Sequence, residues 1–302
     1  MNRISTLSLD GKWFKGNTHA HTCLSDGVLK PDELVLRYAN MGYSFTVITD
    51  HRLYGVHENL NRPDFLVLPG VELDIGLNGH PTFCHHLIGL GLPRTNTLRH
   101  GQIIDYPANT TIEHLISFLK KHGNLCIYAH PSWSHAEPNT LESLPDLFGM
   151  EIYNTNCEVH AACGRSEAWY DQILWNGKSI WCIASDDTHQ NRPDIGGGFI
   201  MVKANSLTHQ DISDALIAGS FYASEAPLIY DFYITDGQAS LSCSPCQSVG
   251  FLTNIHPGSA ENNSEGHMQE AVYNLRGDEN YLRAVCTDSQ GRRAWTQPIK
   301  LS

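Results

Sequence analysis

The stretch Asn17-Thr18-His19-Ala20-His21-Thr22-Cys23-Leu24-Ser25-Asp26-Gly27, followed by Phe45-Thr46-Val47-Ile48-Thr49-Asp50-His51, decides the reading of this chain. In both segments imidazoles and carboxylates gather at the end of an extended or apolar run. His19 and His21 are two apart, so on an extended backbone both rings fall on one face and can bite one metal ion. Asp26 sits in a Ser-Asp-Gly turn that can carry its carboxylate back over the strand end, with a local Asx contact as the alternative. His51 stands at the mouth of a buried strand, and Asp50 beside it reads as a carboxylate that orients an imidazole or caps the loop.

The same device recurs along the chain. Phe65-Leu66-Val67-Leu68-Pro69-Gly70-Val71-Glu72 ends in a carboxylate, Leu125-Cys126-Ile127-Tyr128-Ala129-His130-Pro131 in an imidazole, and Ile180-Trp181-Cys182-Ile183-Ala184-Ser185-Asp186-Asp187-Thr188-His189 in both. Glu72 is placed to bridge two cations, and a solvated loop glutamate is the alternative. Around another strand lie His80, His85 and His86. Adjacent residues alternate faces, so only one of His85 and His86 enters the same centre, and the other supports it or packs. The choice among the three stays open. Carboxylates mixed with imidazoles suit Zn²⁺, Mn²⁺ or Fe²⁺ better than Ca²⁺, so two or three divalent transition metal ions are the expected cofactors.

Composition excludes other classes. The 302 residues carry 32 acidic against 20 basic side chains, a formal charge of -12, and no block of Lys or Arg that would track a nucleic-acid backbone. No apolar run approaches the ~20 residues of a membrane span, and Met1-Asn2-Arg3-Ile4-Ser5 does not open a signal peptide, so a cytoplasmic protein is expected. The nine cysteines are scattered, mostly within apolar runs, as reduced core residues. Cys243 and Cys246 have the CxxC spacing, but no second pair or nearby Cys/His set completes a site, and the pair reads as a loop coincidence.

From about residue 15 to 220 short apolar runs alternate with helical patterns, the rhythm of βα units around a mainly parallel sheet. Strands are expected over residues 16–21, 44–49, 65–69, 82–90, 125–129, 150–153, 179–184 and 198–202. Helices are expected from Pro31 to about Met41, from Thr111 to Lys121, from Ser166 to Trp175 and from Gln210 to Ala218, each followed by glycine within two residues. Beyond residue 222 short strands without helices are expected. The division is a barrel at residues 1–221 and a β-rich accessory domain at 222–302. His21, His51, Glu72, His130 and Asp187 then share the carboxyl-end mouth of the sheet.

These motifs resemble those of the PHP (polymerase and histidinol phosphatase) superfamily of metal-dependent phosphoesterases, in order: Asn17 to Asp26, Thr49-Asp50-His51, Gly70-Val71-Glu72, Ala129-His130-Pro131 and Ser185 to His189. The resemblance implies a distorted (β/α)7 TIM-like barrel and a trinuclear metal centre. It implies one metal on His19, His21, Glu72 and Asp187, a second on Glu72, His86 and His130, and a third on Asp26, His51 and His189. Tyr222-Ala223-Ser224 and Ala294-Trp295-Thr296-Gln297-Pro298-Ile299 are similar to the appended β domain of the CehA/McbA-like branch. Ser224-Glu225-Ala226-Pro227 departs from the Ser-Thr-Gly-Pro common there.

The expected chemistry is hydrolysis of a small-molecule ester by metal-activated water, with Glu72 and Asp187 as the catalytic carboxylates. A phosphorylated substrate comes first, since clustered cations suit a dianion. Carboxylic or carbamic ester hydrolysis is the alternative, and a non-catalytic metal-binding regulatory protein is another. Arg165, Arg192 and Asn154, each after a strand, are the candidate substrate contacts, with surface pairing of the two arginines and a turn role for Asn154 as the alternatives. Nucleic acid and membrane partners are not expected, and a homo-oligomer stays open. There is no Gly-x-Ser-x-Gly, and Gly196-Gly197-Gly198 lacks the companions of a phosphate loop.

Overall fold

The structure, a computed structural model, describes residues 3–77, 80–254, 258–263 and 265–301. The elements in chain order are β1 (Lys12–Asn17), α1 (Pro31–Asn40), β2 (Phe45–Val47), β3 (Leu53–Tyr54), β4 (Leu66–Leu68), β5 (Gly70–Leu77), β6 (His80–Gly91), β7 (Gln102–Ile103), α2 (Ile112–Lys121), β8 (Asn124–Tyr128), α3 (Pro138–Ser143), β9 (Gly149–Asn154), α4 (Thr155–Ala161), α5 (Glu167–Trp175), β10 (Trp181–Ser185), β11 (Phe199–Ala204), α6 (His209–Ile217) and β12 (Phe221–Ser224). After these come β13 (Ile229–Thr235), β14 (Gln238–Cys246), β15 (Ser248–Thr253), β16 (Ser259–Asn262), β17 (Met268–Asn274), β18 (Tyr281–Thr287), β19 (Arg293–Thr296) and β20 (Ile299–Lys300).

The helices start where the sequence marks them. Pro31 opens α1, and the Lys30 N–H donates to Glu33 Oε2 at 2.9 Å. Thr111 and Thr208 cap α2 and α6 by accepting from the backbone N–H groups of His114 and Asp211. α2 buries Leu115, Ile116 and Leu119 in a core that also holds Val71 and Leu87 of the β5–β6 ribbon, Cys126 and Tyr128 of β8, and Tyr170 and Ile173 of α5.

The architecture is mixed α/β, but the ladders do not form one parallel barrel. One sheet runs β16-β15-β18-β19-β12-β11-β1-β2-β4, with β20 beside β18, and a second runs β10-β9-β8-β6-β5. Among the described residues the parallel ladders are β1–β2–β4 and β8–β9–β10. Where no helix returns the chain, the next strand must run antiparallel. That happens at the β5–β6 ribbon and at β11, which follows β10 through the irregular 186–198 loop and pairs antiparallel with β1. No ladder closes the two sheets among the described residues; single bridges, His51↔Glu72 and Ala20↔Thr188, link them at the functional end.

The inner faces of both sheets fill one core: Phe45 and Val47 of β2, Leu68 of β4, Ile88 of β6, Ile127 of β8, Ile183 of β10 and Ile200 of β11. This apolar plug leaves the polar strand ends above it. The expected strands fall within a few residues of the observed ones, with one consequence: β1 stops at Asn17, so His19 and His21 lie beyond the strand. β3, β5, β7, α3 and α4 have no expected counterpart.

Residues after 222 form only strands among those described, and β12 and β19 splice them into the sheet that carries β1 and β2. Trp295 is fully buried in the same core as α2 and α5, stacked at 6.2 Å on Tyr153. Arg283 of β18 is 1% exposed and donates through Nε at 2.8 Å, and also through Nη2, to Asp171 of α5, which is 32% exposed. Asp171→Asn would leave the buried guanidinium without its counter-charge. We expect a loss of about 2–4 kcal/mol, the partial exposure of Asp171 keeping it below the full cost of breaking a buried pair. Urea unfolding with an unchanged m value is the measurement, and a midpoint equal to wild type would show that the pair contributes nothing.

Candidate metal centre

The strand ends turn sharply to aim their side chains inward. His130 and Asp187 both take positive φ, 30° and 53°, a conformation costly for residues other than glycine and common where a site fixes it. Each is pinned by neighbours: His130 N–H donates to Glu151 Oε2 at 2.9 Å, and Asp187 N–H donates to His19 O at 2.9 Å. Asp50 accepts from Thr22 N–H, Thr22 Oγ1 and Ser25 Oγ at 2.7–2.8 Å, and so folds the 22–26 turn over the mouth.

Three donor sets result. His19, His21, Glu72 and Asp187 form one, Glu72, His86 and His130 a second, and His21, Asp26, His51 and His189 a third, each set with its ligand atoms within 4.8 Å of one another. In the first, His19 Nε2 lies 3.1 Å from His21 Nε2. Asp187 Oδ1 is 3.1 Å from each ring, and Glu72 Oε2 is 3.2 Å from His19 Nε2 and 3.0 Å from His21 Nε2. A tetrahedron of ligands about 2.0–2.1 Å from a zinc ion has edges of roughly 3.3 Å, so the set fits such an ion. His21 reaches the third set through its other nitrogen, with Nδ1 3.5 Å from Asp26 Oδ1.

The buried Glu72 carboxylate joins the sets. Its Oε1 faces His86 Nδ1 at 2.7 Å and His130 Nε2 at 3.6 Å, and its Oε2 is 3.4 Å from His51 Nδ1. Oε2 has no hydrogen-bond partner although it is buried, and His51 Nδ1 has none either. An unpartnered carboxylate oxygen inside a protein is expensive unless a cation or proton balances it.

The electrostatics describe the same mutual dependence. Burial alone would lower the histidine pKa values, but facing carboxylates outweigh it: Asp187, Glu72 and Glu151 hold His19 well above its usual value, and Asp187 and Glu72 raise His21 to about 9. Burial would raise Glu72 and Asp187, but His19 and His86 hold Glu72 well below the usual carboxylate range, and His19 and His21 depress Asp187. Imidazolium protons and metal ions thus compete for the same lone pairs.

The tautomers are set from behind. Glu151 Oε1 takes the His19 Nδ1 proton at 2.8 Å, leaving Nε2 for the centre. The remaining Glu151 lone pairs receive Ser185 Oγ, Asn154 Nδ2 at 2.8 Å and the His130 N–H. His189 Nδ1 donates to Asp187 O at 2.9 Å and turns Nε2 to Asp26 Oδ2, 3.2 Å away. Glu151 escaped sequence reasoning; its only signal was a lone acid inside the apolar run Met150-Glu151-Ile152-Tyr153.

Other expected residues fall elsewhere. His85 points to the face opposite His86, with Nδ1 against the Tyr128 hydroxyl, and does not touch the centre. His80 lies on β6 with its side chain outside the described residues. Arg165 is bound to Glu225, one guanidinium nitrogen 2.8 and 2.9 Å from its two oxygens. Arg165 and Arg192 do not line the cavity. Asn154 is fully buried, donating to Glu151 and Asp187 and capping α4 by accepting from Cys157 N–H, so it braces the centre. Nearer partners take up the polar atoms of Arg165 and Asn154.

Asp186, next to Asp187 of the first donor set, takes the N–H groups of Gly196, Gly197 and Gly198 at 2.7–2.9 Å. These glycines cradle an internal carboxylate. Gly198 lies so close to β10 that an added Cβ would stand 2.3 Å from Ser185 O. Burial pushes Asp186 up to about 6 despite these donors. Above the donor sets opens a cavity of about 160 Å³, walled by Trp133, Asn156, Cys157 and His160 as well as by the clustered ligands.

The chain resembles PHP-like metal-dependent phosphoesterases of solved structure. A two-domain protein from Bacteroides vulgatus, described as containing such a domain, overlaps with a TM-score of 0.49 at 16% identity, covering 95% of this chain and 94% of that one. A protein from Bifidobacterium adolescentis described as a metal-dependent phosphoesterase gives 0.42 at 13% identity, over 59% of this chain and 89% of its own. An amidohydrolase from Chromobacterium violaceum, with sulfate and no metal, gives 0.42 at 15% identity over the same shares, 59% and 89%. No family model and no curated protein matches the sequence. These overlaps are loose, and the reading of the site rests on its own side chains.

Glu151→Gln keeps the volume but removes the charge that holds the His19 proton. Metal affinity should fall about 10–100-fold, the usual cost of losing such an orienting carboxylate. Competition titration against a chelator measures it, and wild-type affinity would show that Glu151 only fills space.

Proposed function

We propose that this chain is a PHP-type metal-dependent hydrolase, and that a phosphoesterase acting on a small phosphorylated molecule is the first reading of its activity. The observation that carries the proposal is the unpartnered Glu72 Oε2, buried among three imidazoles on a carboxylate that two donor sets share and 3.4 Å from His51 of the third. Two or three divalent ions, Mn²⁺, Zn²⁺ or Fe²⁺, would be held by His19, His21, Glu72 and Asp187, by Glu72, His86 and His130, and by Asp26, His51 and His189 with His21 alongside. Such ions supply an activated water and positive charge for the oxyanion of the transition state.

The chain's own residues do the rest. Glu72 holds the donor sets in register, Glu151 and the Asp187 carbonyl keep His19 and His189 in the tautomers that face the centre, and Asp50 holds the loop that brings in Asp26. Trp133, 4.9 Å from the His130 ring and 5.6 Å from the His86 ring, gives the cavity a flat apolar wall for the substrate's organic part. His160 on the rim is placed to meet a polar or charged group. In this reading the two sheets are the parted halves of a distorted (β/α)7 barrel, residues 1–221, and residues 222–302 are its accessory β unit.

A second reading has its own support. Among the described residues neither Lys nor Arg lines the cavity, so they offer no guanidinium clamp of the kind expected for phosphate. Carboxylic or carbamic ester hydrolysis needs no such clamp. Phosphate and carboxyl esters of the same alcohol, assayed side by side on metal-loaded protein, separate the two, and hydrolysis of neither would overturn both.

Glu72→Gln tests the centre itself. It should cost at least one equivalent of bound metal and lower kcat ~100-fold or more, in line with misplaced metal and water. Elemental analysis and turnover on one Mn²⁺-reconstituted preparation, after circular dichroism confirms folding, give both numbers. Full metal with wild-type kcat would defeat the reading.

A further inference from the structure

The CxxC pair reads in the sequence as a loop coincidence without partners, and the structure corrects this. Cys243 and Cys246 lie on β14, not in a loop, and Cys286 of β18 joins them, the three sulfurs within 4.8 Å of one another and all three residues fully buried. Cys286 had been out of view because it is 40 residues from Cys246 in sequence (286 − 246) and comes from the sheet that faces β14.

The local geometry explains why both members of the pair point the same way. On a regular strand, residues three apart face opposite sides. Ala239, Leu241 and Cys243 alternate inward as expected, but Cys246 rather than Pro245 is the next buried residue. The register against β17 shifts at this point, Ser242 pairing with Glu270 and Cys246 with Met268. The bulge over Ser244-Pro245 spends ladder pairing to turn a second sulfur inward, and re-aiming a side chain is a common use of bulges. Across the sandwich Cys286, flanked by Val249 and Ala294 on the neighbouring strands, supplies the third sulfur.

We propose that Cys243, Cys246 and Cys286 form a second metal site, a three-thiolate site for zinc, independent of the histidine and carboxylate centre. Sulfur donors select soft or borderline ions over Mn²⁺, Mg²⁺ or Ca²⁺. Within this buried core a divalent ion cancels two of the three thiolate charges whereas Cu⁺ cancels one, so zinc leaves the smaller uncompensated charge. Its role is structural: it clamps the bulged end of β14 to the facing β18 inside the residue 222–302 unit.

Cobalt(II) is the probe, because a thiolate site gives an intense near-ultraviolet sulfur-to-cobalt band that nitrogen and oxygen donors do not. The full-length chain, reduced and stripped of metal without air, should develop that band on cobalt titration and lose it when zinc is added. Cys286→Ser and Cys243→Ser should each abolish the band and one bound equivalent while the histidine centre still loads. Cys84→Ser/Cys157→Ser should keep it; this control is needed because Cys84 Sγ is 3.1 Å from His86 Nε2 and Cys157 lines the cavity. A wild-type protein without the band, a band surviving Cys286→Ser, or a band lost in the control would each overturn the site. Should the serine variants misfold, alkylation of the folded wild type decides: zinc should shield these three cysteines in a peptide map, and equal labelling with and without zinc, or a Cys243–Cys246 disulfide in the purified protein, would overturn it.

Discussion

A carboxylate stripped of water must be balanced by something, and Glu72 imposes that demand on the whole functional end of this molecule. It is 1% exposed, has imidazoles on both oxygens, and sits on β5, a strand with little freedom to move because β6 pairs along its length. The rest of the site arranges itself around that fixed charge. The loop after β1 brings His19 and His21 to one side of it, the loop after β2 brings His51, and β6 and β8 bring His86 and His130 to the other. Removing the balance would turn a stabilising junction into several kcal/mol of buried, repelling or unsolvated groups.

Behind the ligands stands a layer of ordinary protein chemistry. Glu151, Asp50 and Asn154 are buried, and each gives its polar atoms to donor side chains or to the turns beside them, while Asp186 holds the 196–198 turn. Most of these contacts fix a loop rather than a strand. Except for Glu72 on β5 and His86 on β6, the segments that carry the donor side chains lie beyond the strands, and the backbone at His130 and Asp187 is strained to aim them, so side-chain hydrogen bonds do there the work that ladder pairing does elsewhere.

The site was far more legible in the sequence than the architecture. Polar residues ending apolar runs mark strand mouths whether the strands are parallel or not, which is why the nine ligands expected from the sequence converge in the three donor sets even though the ladders depart from a parallel barrel. Topology was harder because a missing helix, not a present residue, turns β6 and β11 antiparallel. The supporting groups split the same way. Asp50 is local to the turn it holds, but Glu151 meets His19 across 132 positions of chain, a contact no spacing rule can find. The Arg165 partner was hidden for the same reason, since Glu225 lies 60 residues on.

The splice between the two parts of the chain has a consequence for how it can be divided. β12 continues the sheet from β11, and β19 continues it from β12, so the seam is a run of paired backbone rather than a linker. A fragment ending before β12 would expose the edge of β11 as a row of free N–H and C=O groups, next to a core robbed of Trp295. Such an edge recruits other strands, and the fragment would meet its own copies first. The strands after residue 222 therefore act as the edge protection of the sheet that carries β1 and β2, and a chain shortened there would be prone to aggregate.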